Sequence, residues 1–210
     1  MRMRLFIIAV LLGVYANNLR VAASDANGCS DGFEVLSLLS VSETPGSWEP
    51  LLGIAGFYGQ PQPRQWLILT SIKEKSGLLR ESVASGGKVV SERQFRRLLG
   101  QELPHTPIAR NSLKISSLEA FEVGKAEAKR RQVSFESVHF QLRCDDQPSE
   151  PIWILSFIDR AQISVGSVYL SAVSGNVIKT AWRDAVNYTA LLQKKFPANA
   201  GSDAFKAAGR

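Results

Sequence analysis

The stretch "SVHFQLRC", residues 137–144, alternates without a break. Val138, Phe140, Leu142 and Cys144 fall on one side, and Ser137, His139, Gln141 and Arg143 on the other. A period of two is the signature of a strand with one face in a core and the other turned away, the habit of antiparallel sheets. This run commits the chain to a half-buried sheet, and its neighbours agree. After the turn "DDQPSEP", "IWILSFI" places Trp153, Leu155 and Phe157 on one face. "GSVYLSAVSGNVIKTAW" then reads as strand, turn and strand about Ser174, Gly175 and Asn176, residue types that tolerate positive φ. Upstream, "QPRQWLILTSI" sets Trp66, Ile68 and Thr70 on one face, and "GLLRESVASGGKVV" gives two short strands around Ser-Gly-Gly.

Helices are fewer. In "SSLEAFEVGKAEAKRRQ" the spacing of Ser116 and Glu119 predicts a capping box, and Lys129, Arg130 and Arg131 complement the dipole at the other end. "SERQFRRLLGQEL" predicts a short helix with Ser91 as cap and Gly100 as stop. A last helix is expected from about Arg183 to Lys195, with Trp182, Val186, Ala190 and Leu191 toward the core and Pro197 ending it. "FEVLSLL" fits helix and strand equally.

Two halves look alike. Trp66 matches Trp153, Gly77 matches Gly166 and Gly86 matches Gly175, with the same spacing between the two glycines in each half. The expected fold class is α+β, antiparallel sheets packed by helices, in two similar modules. Their bounds are 24–110 and 111–197, meeting in the connection "PHTPIARNS", with a leader at 1–23 and a flexible tail at 198–210.

The leader, "MRMRLFIIAVLLGVYANNLRVAA", has the three parts of a secretory signal peptide. Its apolar run, Leu5 to Ala16, is shorter than the roughly 20 residues that a bilayer requires. Cleavage after Ala16 or Ala23 fits the small-residue rule, the later site being preferred. No other long apolar run exists, so the mature chain is expected in the periplasm or outside the cell, without a stable membrane span. The formal charge of +6 includes Arg2, Arg4 and Arg20 of the leader, which carries no acid, so +3 remains. That balance calls for no nucleic-acid partner. Two cysteines in an oxidising compartment are most simply a disulfide, Cys29 to Cys144, tying the amino-terminal segment to the body.

The second half, from a capped helix to "VYLSAVSGNVI", resembles the PepSY domain, a small module of secreted and membrane-attached bacterial proteins. Tyr169, Ala172, Ser174, Gly175 and Val177 fit that family's closing motif, whereas Ser171 stands where the family often has Asp. The resemblance covers roughly residues 116–181 and implies a non-enzymatic module, associated with extracellular peptidases as an inhibitor or escort.

The residues themselves supply no convincing chemistry. His105 lies between prolines, and the odd offset of His139 from Cys144 turns the two side chains to opposite faces. There is no Gly-x-Ser-x-Gly elbow, no His-Glu-x-x-His helix and no Cys-x-x-Cys pair. "ASGGKVV" lacks the upstream glycine and the hydroxyl residue of a phosphate loop. Asp145 and Asp146 are too few for calcium, and Asn187 begins a glycosylation triplet inside a predicted helix. Trp66, Trp153 and Trp182 have core-like settings. The expectation is therefore an exported binding or regulatory module, without cofactor or metal, that recognises a protein or peptide, with Trp48 and Tyr169 as candidate contacts. The alternative is an exported hydrolase or small-ligand binder whose site is dispersed in sequence.

Overall fold

The computed structural model describes residues 31–41, 49–73, 77–98, 103–144 and 150–183. Helix α1 (Gly32–Val41) precedes strands β1 (Leu51–Gly59), β2 (Gln65–Ser71), β3 (Leu78–Ser85) and β4 (Lys88–Arg96). A connector with a 3-10 turn at Arg110–Ser112 leads to α2 (Ser117–Arg130), followed by β5 (Ser137–Cys144), β6 (Pro151–Ile158), β7 (Ser164–Ser171) and β8 (Val177–Trp182). All eight strands join one antiparallel sheet in the order β4-β3-β2-β1-β5-β6-β7-β8. This corrects the expected fold class. In place of α+β sheets packed by helices there is one wide sheet, and the two helices among the described residues, of 10 and 14 residues, cover a single face of it.

Each half is a helix and a four-strand meander, and the halves meet where β1 pairs with β5. The ladder is symmetric about the pair Ala55–Gln141. From Ala55 the register runs outward through Leu67, Val83 and Ser91, and from Gln141 through Ile154, Tyr169 and Lys179. Both outer hairpins also break register at the same step, between Val83 and Ala84 and between Tyr169 and Leu170. The extra residues at these bulges, Val90 and Ile178, are exposed on the two edge strands. A bulge disrupts the regular row of free backbone groups that makes an edge a template for further strands. Trp66 and Trp153 hold equivalent places in this ladder, opposite Gly56 and Leu142. The glycine matches expected from sequence do not: Val83 is equivalent to Tyr169, which puts Gly166 three residues out of step with Gly77 and Gly175 three out of step with Gly86.

The core lies on the helix-covered face. Trp66, Phe140 and Trp153 meet there edge to face, with ring centroids 5.7, 6.3 and 6.5 Å apart. Gly56 sits between Trp66 and Phe140 in the ladder, where a Cβ would come within 2.9 Å of the Trp66 ring and collide with Pro63. Over the second half, α2 lays Ala120, Gly124 and Ala128 on the sheet, and a Cβ at Gly124 would meet Leu155 at 2.6 Å. The predicted capping box forms, Ser116 Oγ accepting from the Glu119 amide at 3.2 Å while the Ser116 amide donates to Glu119 at 2.8 Å. The amino ends of both helices meet at one polar knot, buried at Ser117 and more open at Asp31. Asp31 accepts the amides of Phe33 and Leu118, at 2.7 and 3.1 Å, and Ser117 Oγ accepts from the Gly32 amide at 2.8 Å and donates to Gln62 at 2.5 Å.

Two further expectations are corrected. "SERQFRRLLGQEL" is no helix through its first six residues, since Ser91–Arg96 belong to β4. Glu92 accepts from Ser82 at 3.0 Å on one face, and on the other Arg93 grips the buried Glu81 at 2.7 and 3.0 Å. The Cys29–Cys144 disulfide is also absent. Cys144 is a buried free thiol, its Sγ 3.6 Å from the Pro107 carbonyl, so the connector occupies the place expected for a bonded partner. Residue Cys29, the signal segment, the helix beyond Arg183 and the tail lie outside the described residues.

Gly56→Ala is expected to destabilise the fold by about 1–3 kcal/mol, the usual cost of overpacking a filled core. Urea denaturation measures it, and an unchanged midpoint would show that the Trp66–Phe140 contact does not need the glycine.

Candidate functional site

The face opposite the helices holds the groups that the core does not use. Alternation along β5 turns Ser137, His139, Gln141 and Arg143 to it. Across the sheet it carries the row Ser91, Val83, Leu67, Ala55, Gln141, Ile154, Tyr169 and Lys179. Lys179 Nζ stands 5.4 Å over the centre of the Tyr169 ring. Ser156 and Ser167 share a hydrogen bond of 3.1 Å.

The first half of this face is largely closed. The connector returns over it, held by Arg97, whose guanidinium donates to the carbonyls of Leu103 and Pro104 at 3.1 and 2.5 Å. Beneath lies a cavity of about 50 Å³, lined by Phe57, Leu67, Leu69, Leu103 and Pro104 with Glu81 at its margin. It is small and apolar, and Glu81 is already engaged by Arg93.

His139 sits at the lower end of β5, where β1 breaks register between Gly56 and Gly59. Tyr58 takes φ +56° there, exposing its ring while turning an edge to the imidazole at 4.6 Å. Phe57 meets the same ring at 5.3 Å. His139 Nε2 is buried without a hydrogen-bond partner, and burial lowers the pKa of the ring to about 4. An imidazole held neutral between aromatic rings, with no carboxylate among the described residues to orient it, lacks the arrangement of a general base.

Of the residues singled out from sequence, Tyr169 lies on the open face, half-buried, and Trp48 lies outside the described residues. Trp66 and Trp153 are core, and Trp182 packs on Phe157 with centroids 5.5 Å apart. Asp145, Asp146 and Asn187 also lie outside the described residues. Sequence reasoning passed over Gln141, Arg143, Lys179, Phe57 and Tyr58. The alternation in β5 marked Gln141 and Arg143 as facing away from the core, but only the ladder brings them beside Tyr169 and Lys179. Among the described residues no His, Cys, Asp and Glu group forms a metal-binding cluster, and no helix is long and apolar enough to cross a membrane.

No family model and no curated protein matches the chain. A solved structure of a candidate lipoprotein from Clostridium difficile 630 aligns with a TM-score of 0.44 and 9% identity, covering 64% of this chain and 83% of that one.

Because the fold depresses the His139 pKa from 6.5 to about 4, it favours the neutral ring. Its contribution to stability is intact above about pH 6.5, falls as pH drops toward 4 and is level below that. The loss is on the order of 1–2 kcal/mol, solvent at the partly exposed ring screening the rest. Urea midpoints from pH 7 to 4 should show this slope in the parent chain and not in His139→Gln; equal slopes would remove the assignment. Burial raises the pKa of the Cys144 thiol. It is expected to resist aromatic disulfide reagents until urea unfolds the chain, and rapid native reaction would show that the strand end opens.

Proposed function

We propose that this chain is an exported, non-enzymatic binding module that recognises a protein partner across the face of its sheet opposite the two described helices. The observation that carries the reading is the row Gln141, Ile154, Tyr169 and Lys179, which runs from half-buried Gln141 over buried Ile154 to half-buried Tyr169 and exposed Lys179, on strands whose opposite side is filled core. Export is supported by the basic and then apolar residues of the leader, and by the small residues that end it. Recognition across the face is favoured over strand addition at an edge, because a bulge with an exposed extra residue interrupts each edge strand. The likeness of "VYLSAVSGNVI" to the PepSY closing motif supports a peptidase or another envelope protein as the partner class.

The mature chain, immobilised and exposed to envelope and culture fractions, is expected to retain a partner that Tyr169→Ala releases. Tyr and Trp anchors at interface centres typically cost about 2 kcal/mol or more on truncation. Circular dichroism should show both chains folded alike. Equal retention by the parent and by Tyr169→Ala would place recognition elsewhere, and retention of nothing by either would remove the reading.

A further inference from the structure

On the side of the sheet away from the two described helices, the second half is buried more deeply than a face left to solvent. Alternation along β6 turns Ile152, Ile154 and Ile158 to that side, yet they are only 4, 8 and 5% exposed, and Ser137, paired with Ile158, is 2% exposed. Side chains stand roughly perpendicular to a sheet, so Gln141 and Tyr169 flank Ile154 without capping it. The connector that Arg97 holds returns over the first half, against Gly53, Leu67 and Leu69. Lys179, on the same side of β8, has a further interaction partner besides Tyr169, and so do Asp159 and Ala161 in the turn from β6 to β7. A third layer lies over these strands.

The chain itself supplies that layer. It leaves the sheet at Arg183, whose amide donates to Val165 at 3.1 Å, beside the β6–β7 turn and at the end of the ladder that Ile158 occupies. The next residues, "DAVNYTALLQKKF" (184–196), set Ala185, Tyr188, Leu192 and Phe196 three and four apart, with Val186 and Ala190 alongside, before Pro197. That spacing is helical, with apolar residues over more than one side. A helix of about 13 residues reaches about 20 Å, and the three inter-strand steps from β5 to β8 span about 14 Å. Other stretches do not reach. Residues 145–149 join β5 to β6 at the end away from Ile158, about 20 Å along the strand from it. Residues 74–76 and 99–102 belong to the first half, and those flanking α1 start from the core side.

We propose that residues 184–197 lie across β5 to β8 as the cover of this face, their apolar side chains on Ile152, Ile154 and Ile158, and that a partner gains the face by displacing them. The displacement rests on the binding-module reading above and deepens it by naming what holds the face closed; the cover rests on the burial alone.

Its test compares the full mature chain with one ending at Arg183, both ¹³C-labelled at isoleucine methyls, in a neutral gadolinium chelate that broadens the methyls solvent reaches. In the full chain Ile152, Ile154 and Ile158 are expected to stay as sharp as Ile54 and Ile68 of the core. In the shortened chain the first three should broaden severalfold while Ile54 and Ile68 stay sharp and report a folded sheet. Leu192→Asp, at full length, is expected to do the same and serves should the shortened chain melt. Three methyls that stay sharp in both altered chains would overturn the cover, and so would broadening of Ile54 and Ile68 along with them, which would make the segment part of the core. A face closed about nine-tenths of the time weakens apparent affinity about tenfold, so the shortened chain should retain a partner about tenfold more tightly in the capture experiment. Uncovered methyls with equal retention overturn the displacement. Uncovered methyls with nothing retained by either chain remove the recognition reading and leave the cover standing.

Discussion

Everything in this molecule depends on the pairing of β1 with β5. It is the seam at which two four-strand meanders become one sheet, and the aromatic core is assembled across it. Trp66 reaches the seam from β2, Trp153 from β6 and Phe140 from β5 itself. They meet because β1 puts Gly56 under the Trp66 ring, a place where even a methyl group would collide. Large buried aromatics typically contribute about 3–5 kcal/mol each against truncation. Here that energy is available only while the two halves stay in register. The helices follow from the same seam: their amino ends are tied by Asp31 and Ser117 to each other, and through Gln62 to the loop that leaves β1.

The ladder symmetry separates two kinds of constraint. Residues facing the helices obey packing, which leaves little latitude, and so equivalent positions remain apolar in both halves. Residues facing the other way obey the pleat and whatever lies over them. There the halves diverged, the first being closed by the connector, a small apolar cavity and the Glu81–Arg93 pair, the second carrying cations and a tyrosine around buried isoleucines. The edges are treated alike, each blunted by a bulge at the same rung, which fits an edge shielded from further pairing.

Wherever side-chain period and turn chemistry act locally, the residues could be read directly. The alternation of Val138, Phe140 and Leu142, the Ser116 capping box and the Gly86 and Gly175 turns were all legible. β1 was not, because Gly53, Gly56 and Gly59 depress its strand propensity while tertiary contact demands small residues there. β4 was misread as a helix because an edge strand exposed on both faces shows no hydrophobic period, and its Ser, Glu, Arg and Gln are also tolerable helix formers. The disulfide failed for another reason: parity of cysteines says nothing about which segment packs on Cys144.

The sequence by itself determined that the chain builds antiparallel strands with one face buried, that a capped helix precedes the last four, and that Trp66 and Trp153 are repeats of one position. These are consequences of periods two and 3.6 and of the conformations that glycine permits, all set within a few residues. Only the tertiary structure decided that the halves share one sheet, that both helices lie on the same side, and that Gln141, Arg143, Tyr169 and Lys179 fall on one surface. Inter-strand register joins residues tens of positions apart, and it is chosen by how the whole core fills, not by any local pattern.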